Sequence, residues 1–301
     1  MERIKITTEE SFSQNGLDIL NKIGKVDYSN LNTGGQETTI LVVGLSNKIN
    51  QNVMKRMPNL KIIATPTTGL DHIDMDEAAK RKISVLSLKG EVEFLRTITS
   101  TAELAFGMIL CLARKIVSAH NSVMSGEWNR SEFRGLTLQG KTLGVIGKGR
   151  LGSMVLRYGK SFGMNTIYTD PYVNGGVSMS NLLSESDFVS IHVPLNDETT
   201  GLISSENLGT IKKGSYIINT SRGKIVDEKA IIYALESKVL SGYATDVLSD
   251  ELSSDVSKSL LLNYAKNNEN VLLTPHIGGM SKESRQMTDV FISEKIKKHI
   301  N

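Results

Sequence analysis

The chain has 301 residues, of which 39% are hydrophobic and 22% charged, with a formal net charge of +3 at pH 7. That length allows two domains of ordinary size, and the composition is typical of a globular protein and not of a disordered or fibrous one. The low charge argues against a nucleic-acid-binding protein, no apolar run approaches the length of a membrane span, and the single cysteine, Cys111, fits a reducing cytoplasmic compartment.

Apolar, β-branched runs recur along the chain and predict strands buried on both faces of a parallel sheet. In chain order these runs are TTILVVGL, LKIIATP, ISVLSL, KTLGVIG, NTIYTD, DFVSIHVP, GSYIINTS, LSGYATDV and NVLLTP. Helical patterns lie between them, namely NVMKRMP, DMDEAAKRK, RLGSMVLRYGKSFG, MSNLLSES and DEKAIIYALESK. This alternation of strand and helix predicts a doubly wound α/β protein.

The segment from about Ser100 to His120 has no strand pattern and predicts one long helix. Its apolar residues lie nearly all round the helix, which indicates burial on every side. Such a helix is well placed to divide two α/β units. We therefore predict a domain boundary just before it, near Arg96.

Gly147, Gly149 and Gly152 form the pattern G-x-G-x-x-G between a predicted strand and a predicted helix. The glycines allow a tight turn, close approach of a pyrophosphate and close helix packing, while the helix N-terminus attracts phosphate. The next strand ends in Asp170, where a carboxylate binds ribose hydroxyls and repels a 2′-phosphate, so NAD is favoured over NADP. A glycine-rich turn is the alternative for the glycines alone, and Lys148 between them is interpreted as an exposed lysine.

Polar residues follow four more predicted strands, at the sheet edge where doubly wound proteins bind ligands. They are His192 and Pro194, then Asn219 to Gly223, then Asp246 and Glu251, and finally His276 in LLTPHIGGM. Oxidation of a 2-hydroxy acid with a nicotinamide needs a cation for the carboxylate, an acid–base group and a carboxylate that orients it. Arg222, His276 and Glu251 could fill these roles. Three alternatives remain open. Arg222 could be an ordinary surface arginine, and Glu251 could lie in a solvated acidic loop, where Asp250 competes with it for the role beside the histidine. His192 could line the adenine side of the cofactor site.

Seven motifs stand in the order typical of the D-isomer-specific 2-hydroxyacid dehydrogenases, a family that includes D-3-phosphoglycerate dehydrogenase. They are GLDHID, STAELAFGMILCLAR, GKTLGVIGKGRLG, DFVSIHVPLNDET, INTSRGKIVDEKAIIYAL, GYATDV and TPHIGG. The chain resembles this family from about Ile40 to its end, and residues before about Thr39 match weakly.

The resemblance implies an NAD-dependent cytoplasmic enzyme that interconverts a D-2-hydroxy acid and its 2-keto acid. It also implies a homodimer formed through the NAD-binding domain, and no metal, nucleic acid or membrane is expected as a partner. Arg222 corresponds to the carboxylate-binding arginine, Glu251 to the glutamate beside the catalytic histidine, and His276 to the acid–base histidine. The cofactor positions implied are Gly147, Gly149, Arg150, Leu151, Gly152, Asp170, His192, Pro194, Thr220, Arg222, Asp246, His276 and Gly278. The substrate positions implied are Thr68, Gly69, Arg222 and His276.

The same resemblance implies a Rossmann-type NAD-binding domain, residues 97–283, inserted in a smaller flavodoxin-like substrate domain. That second domain comprises residues 1–96 plus 284–301, and the cleft between the two is expected to close on substrate. Because the chain ends soon after its last helix, we expect it to lack the regulatory domain of some relatives.

Three departures from the family pattern affect the substrate and the site. Leu252 follows Glu251 in place of a proline, and Thr67 stands where glycine is frequent, which is expected to narrow the carboxylate site. The stretch VVGLSNK has Lys48 but not the arginine expected for a substrate phosphate. Phosphoglycerate, glyoxylate or hydroxypyruvate, phosphite and formate remain alternative substrates. An NAD(H)-sensing, corepressor-like protein is a further alternative, which would need the glycine motif but not the three catalytic side chains.

Overall fold

The computed structural model describes residues 1–8, 12–33, 35–253 and 255–301. Its strands are β1 Glu2–Thr7, β2 Gly24–Tyr28, β3 Ile40–Val43, β4 Ile62–Ala64, β5 Ser84–Leu86, β6 Thr142–Ile146, β7 Asn165–Thr169, β8 Phe188–Ile191, β9 Ser215–Asn219, β10 Leu240–Thr245 and β11 Val271–Leu273. Its helices are α1 Gln14–Asn21, α2 Gln51–Lys55, α3 Met75–Lys80, α4 Val92–Leu95, α5 Ser100–Arg114, α6 Ile116–Met124, α7 Arg150–Ser161, α8 Met179–Glu185, α9 Ser205–Leu208, α10 Glu228–Glu236, α11 Leu260–Ala265 and α12 Lys282–Ile300.

The chain forms two compact units, residues 1–98 with 280–301 and residues 99–279. In the first unit the strands pair in parallel in the order β2-β1-β3-β4-β5, which is the flavodoxin-like order. Both faces of this sheet are covered. Ile40 and Val42 lie in a buried cluster with Ile292 of α12, whereas Leu41 and Val43 point to the opposite face and belong to another cluster.

In the second unit the strands are also parallel, in the order β11-β10-β9-β8-β6-β7. Leu143 and Val145 face a cluster that includes Ile109 of α5, while Ile146 faces a cluster that includes Leu182 of α8. The prediction of two doubly wound α/β sheets is therefore confirmed. The strand order reverses between β6 and β8, and such a switch point leaves a crevice at the carboxyl ends of the two strands.

The predicted long helix from Ser100 to His120 is wrong in one respect, because it breaks at Lys115. This residue adopts a left-handed conformation with a φ of 53°, and α6 begins directly after it. In an unbroken helix the Ala113 carbonyl would accept from the amide of Val117, but here the amide of Leu136 donates to it at 2.7 Å. The Leu136 amide therefore occupies the carbonyl acceptor that a continuing helix would use.

The expectation that no apolar run reaches membrane-span length also needs correction. The segment Val92–Arg114 is long and apolar enough to cross a membrane, judged by length and composition alone. It comprises α4 and α5, and eight of the fifteen residues of α5 are buried. The apolar character of α5 is accounted for by the core that it joins.

Residues 1–39 contain β1, β2 and α1, which the sequence patterns did not predict. β1 carries Lys5, whose side chain is only 2% exposed although its ammonium group is polar. Lys5 Nζ donates to Ser29 Oγ at 2.8 Å. A lysine in mid-strand interrupts the apolar run that would have indicated a buried strand.

Candidate active site

The glycine-rich turn connects β6 to α7 at the switch point of the second sheet. Gly147 has a φ of 90°, and a Cβ added there would lie 2.5 Å from the carbonyl oxygen of His192. A Cβ on Gly152 would lie 2.0 Å from the Gly147 oxygen, whereas a Cβ on Gly149 would meet nothing within 4 Å. The first and third glycines are thus required by the protein's own packing. The second leaves open space at the start of α7, where a pyrophosphate could approach the backbone.

Asp170 follows β7, beside this turn, and its carboxylate is held by two backbone amides. Oδ2 accepts from Lys148 N at 2.8 Å, and Oδ1 accepts from Tyr172 N at 2.9 Å. Each carboxylate oxygen keeps a further lone pair, so ribose hydroxyls can still donate to it. The Lys148 ammonium lies 3.8 Å from the centre of the Tyr168 ring, which is a cation–π contact.

His192 directly follows β8 and Thr220 directly follows β9, at the same edge of the sheet. His192 Nε2 is 2.8 Å from Ser190 Oγ, and burial lowers the pKa of His192 to about 4, which keeps the ring neutral near pH 7. In the part of the chain that the structure describes, His192 Nδ1 and Thr220 Oγ1 are buried and have no hydrogen-bond partner. Buried polar atoms of this kind are uncommon in native proteins and suit a ligand that supplies the missing partner.

Three further predicted cofactor positions are Arg150, Leu151 and Pro194. Arg150 and Leu151 form the first turn of α7, both half-buried, and burial lowers the pKa of Arg150. Pro194 lies just beyond His192, and its carbonyl oxygen accepts from Thr199 Oγ1 at 2.6 Å.

The backbone around Arg222, just after β9, is held on both sides. Ser221 Oγ donates to the Ile191 carbonyl at 2.8 Å, and Asn219 Nδ2 donates to the Arg222 carbonyl at 3.0 Å. A Cβ on Gly223 would lie 2.0 Å from the carbonyl carbon of Leu248, so only glycine fits there. One guanidinium nitrogen, Nη1, donates to the Ser221 carbonyl at 2.8 Å. Arg222 is half-buried and its backbone is fixed at the sheet edge.

His276 and Glu251 meet as the sequence predicted. His276 Nδ1 lies 3.1 Å from both carboxylate oxygens of Glu251, and the two side chains are each 25% exposed. A carboxylate accepts from Nδ1–H, which leaves Nε2 as the ring nitrogen available to a substrate. The loop of Glu251 is anchored where Ser249 N donates to Glu228 Oε1 at 2.9 Å. The structure brings Glu251, and not its neighbour Asp250, to the histidine.

Asp246 organises the turn that carries His276. Its carboxylate, in a residue only 1% exposed, accepts from Thr274 Oγ1 at 2.5 Å, Ile277 N at 2.8 Å and Gly278 N at 2.7 Å. The Asp246 carbonyl accepts from His276 N at 2.8 Å. Burial raises the pKa of Asp246, and the bonds from Thr274, Ile277 and Gly278 oppose that rise. The predicted contact of Asp246 with the nicotinamide carboxamide stays a prediction.

Thr68 and Gly69, the predicted substrate residues of the first unit, lie in the loop after β4. The described residues provide no hydrogen-bond acceptor for the amides of Thr68, Gly69 and Leu70, which are consecutive in this loop. Successive backbone amides without an acceptor in the protein are donors that an anion can use. We call residues 68–70 the amide nest.

Several residues that support the site were missed from the sequence. Ser190 holds His192, Thr274 contacts Asp246, and Glu228 anchors the loop of Glu251. Ser190 stands two residues before His192 on the same strand face, so a period-2 pattern could have found it. Thr274 and Glu228 lie more than twenty residues from their partners, and no local pattern signals such contacts.

Comparisons with known proteins show which family this chain belongs to. A sequence model described as "D-isomer specific 2-hydroxyacid dehydrogenase, NAD binding domain" matches residues 106–278. A glyoxylate reductase of Thermococcus litoralis is 38% identical over 267 residues, covering 83% of this chain and 77% of that protein. A D-3-phosphoglycerate dehydrogenase of Methanocaldococcus jannaschii is 33% identical over 311 residues and matches 98% of this chain, which spans 57% of the length of that relative. The crystal structure of a D-lactate dehydrogenase from Aquifex aeolicus, with NAD and lactic acid, superposes with a TM-score of 0.85 at 28% identity, covering 99% of this chain and 95% of the other.

Proposed function

Because this chain belongs to the D-isomer-specific 2-hydroxyacid dehydrogenase family, we propose that it is an NAD-dependent oxidoreductase interconverting a D-2-hydroxy acid and its 2-keto acid. The observation that carries the proposal is the contact of His276 Nδ1 with both oxygens of Glu251 at 3.1 Å. A protein that only senses NAD(H) would need the glycine turn but not this pair.

The chain's own residues divide the acid–base work among them. His276 donates a proton from Nε2 to the carbonyl oxygen when the keto acid is reduced, and it takes that proton back when the hydroxy acid is oxidised. Glu251 accepts the Nδ1–H bond, which fixes the tautomer and the orientation of the ring. Arg222 binds the substrate carboxylate through its planar guanidinium.

NAD supplies or accepts the hydride when it is bound, and the second unit has the residues to hold it. Gly149 leaves space for the pyrophosphate, and the Asp170 carboxylate is oriented by two amides for the ribose hydroxyls. His192 Nδ1 and Thr220 Oγ1, which have no hydrogen-bond partner among the described residues, lie at the same sheet edge. These features support the cofactor positions predicted from the sequence.

We propose a small, unphosphorylated 2-keto acid as the substrate, of the glyoxylate or hydroxypyruvate class. The segment VVGLSNK contains Lys48 as its single cation, and that residue is exposed on the first unit. One solvated lysine on a flexible stem is a weak site for a dianionic phosphate compared with an arginine fork.

The test is a panel of glyoxylate, hydroxypyruvate, pyruvate, 2-ketoglutarate and phosphohydroxypyruvate, each added with NADH while the loss of NADH absorbance is followed. We expect turnover with glyoxylate or hydroxypyruvate and the weakest turnover with phosphohydroxypyruvate. Binding of NADH without oxidation by any acid in the panel would contradict the enzymatic proposal and favour the sensing alternative.

We also propose that the chain works in the cytoplasm as a homodimer formed through the second unit. None of the nine residues of α6 is buried, and it exposes Ile116, Val117, Val123 and Met124, the last by 72%. Trp128 follows at 87% exposed. Large apolar side chains exposed this close together in the chain are typical of protein interfaces. We call residues 116–128 the α6 surface.

A further inference from the structure

Two threonine hydroxyls link a buried strand end to the amide nest. Thr65 directly follows β4 and is fully buried. Its Oγ1 lies 2.9 Å from Thr67 Oγ1, which in turn donates to the Gly69 carbonyl at 2.9 Å. A hydroxyl has a single proton, so the bond from Thr67 to Gly69 requires Thr65 to be the donor in the other bond. The direction is therefore fixed, from Thr65 to Thr67 to the Gly69 carbonyl.

A second bond fixes the neighbouring peptide. Leu88 N donates to the Thr67 carbonyl at 2.9 Å. In a trans peptide group the C=O of one residue and the N–H of the following residue point in opposite directions. A hydrogen bond that fixes the carbonyl therefore also fixes the direction of the following N–H. The Leu88 bond orients the amide of Thr68, and the Thr67 hydroxyl orients the amide of Leu70. Gly69, whose own amide has no acceptor among the described residues, lies between the two anchored peptides.

We propose that Thr67 is a positioning residue, and that its hydroxyl, oriented by Thr65, preorganises the amide nest to bind the carboxylate of the acid substrate. This inference rests on the proposed function, because it takes a carboxylate as the anion. It also changes the interpretation of Thr67, which was expected to narrow the site. The Thr67 hydroxyl donates to the Gly69 carbonyl of the same loop. A glycine at this position would leave the loop free to adopt several conformations, whereas this hydrogen bond holds it in one.

The test compares Thr67→Val, which keeps the shape and removes the hydroxyl, with Thr67→Ser, which keeps the hydroxyl. Thr288→Val is the matched control, because Thr288 is buried in the same unit and its hydroxyl donates to a backbone carbonyl, that of Arg285, at 3.1 Å. Two readouts are taken on the full chain. One is the kcat and KM for glyoxylate and hydroxypyruvate with saturating NADH, and the other is the Kd of oxamate, an unreactive carboxylate, for the NADH-loaded protein.

Thr67→Val is expected to raise the keto-acid KM and the oxamate Kd about fivefold, the effect of one lost hydrogen bond, while the NADH Kd stays unchanged. Thr67→Ser and Thr288→Val should keep the wild-type values. Thr65→Val should produce part of the loss, and the double variant Thr65→Val/Thr67→Val should lose no more than Thr67→Val alone, because the two hydroxyls act in series.

The outcomes separate this inference from the proposed function. Turnover with an unchanged KM and oxamate Kd in Thr67→Val would overturn the role of Thr67 and leave the enzyme intact. Absent turnover, with oxamate binding that Thr67→Val weakens, would support the inference and overturn the proposed activity. A serine variant as weak as the valine variant, an equal loss of NADH affinity, or no oxamate binding by the wild-type protein would each overturn the inference.

Discussion

His276 has a φ of 54°, a left-handed backbone conformation that residues other than glycine rarely adopt. Such a conformation costs about 1–3 kcal/mol and persists only where the surroundings enforce it. Here the Asp246 carboxylate and carbonyl bind the amides of residues 276–278. With this backbone conformation the imidazole lies against Glu251. The rare conformation of His276 is therefore part of the geometry on which its proposed acid–base role depends.

Replacing His276 should affect turnover and not cofactor binding. We expect His276→Ala to lower kcat by about 10²–10⁴-fold, the usual contribution of general acid–base catalysis, with the NADH Kd little changed. His276→Asn is the paired variant, because asparagine tolerates the left-handed conformation better than alanine does. Steady-state kinetics and NADH fluorescence titration measure the two quantities. Equal losses of kcat and NADH affinity in both variants would indicate that His276 is structural.

The pKa of His192 predicts how stability depends on pH. The folded protein keeps His192 neutral down to about pH 4, whereas a histidine in the unfolded chain takes up its proton near pH 6.5. The unfolded state therefore binds more protons between these values, and stability should fall as the pH falls through this window. Thermal unfolding midpoints at about pH 7 and about pH 4.5 should show a smaller drop in His192→Gln than in the wild-type protein. The same drop in both would show that His192 does not contribute.

At the scale of elements, the sequence predicted the strands with continuous apolar runs and missed those with charged residues inside them. β3 and β4 are apolar throughout and the strands β6 to β11 of the second unit contain no charged residue, whereas β1 contains Lys5. The break between α5 and α6 could not be predicted, because its cause is the amide of Leu136, twenty-three residues beyond Ala113. The glycine turn and His276 could be predicted, because each lies in a short motif of neighbouring residues. The choice of Glu251 over Asp250 depended on loop geometry that the sequence does not contain.

The glycine turn offers a comparison of two equal substitutions. Gly149→Ala should leave the midpoint of thermal unfolding unchanged, since its Cβ meets nothing within 4 Å, but should weaken NADH binding by blocking the pyrophosphate. Gly152→Ala should lower the midpoint, because its Cβ would lie 2.0 Å from the Gly147 carbonyl oxygen. Scanning fluorimetry with and without NADH measures both effects. Unchanged NADH affinity in Gly149→Ala would contradict the proposed phosphate position.

At the scale of the whole molecule, the α6 surface predicts association. We expect the protein to elute as a dimer and Met124→Lys to shift it toward the monomer, because a charge at an apolar interface is costly to desolvate. Tyr233→Lys is the matched control, since Tyr233 is also 73% exposed but lies on α10. Size-exclusion chromatography with light scattering gives the masses. A monomeric wild-type protein, or a Met124→Lys variant that stays dimeric, would contradict the proposed interface.

The way in which the second unit interrupts the first has a consequence for biosynthesis. Residues 99–279 are contiguous, whereas the first unit needs α12, which supplies Ile292 and Ile296 to its buried cluster and Asp289 to bind Ser13 N at 2.9 Å. As the ribosome extends the chain, the second unit is complete before α12 has been translated. Nascent domains usually fold in order from the N-terminus. Here we expect the opposite order, because the N-terminal sheet stays uncovered by α12 until the second unit has been translated.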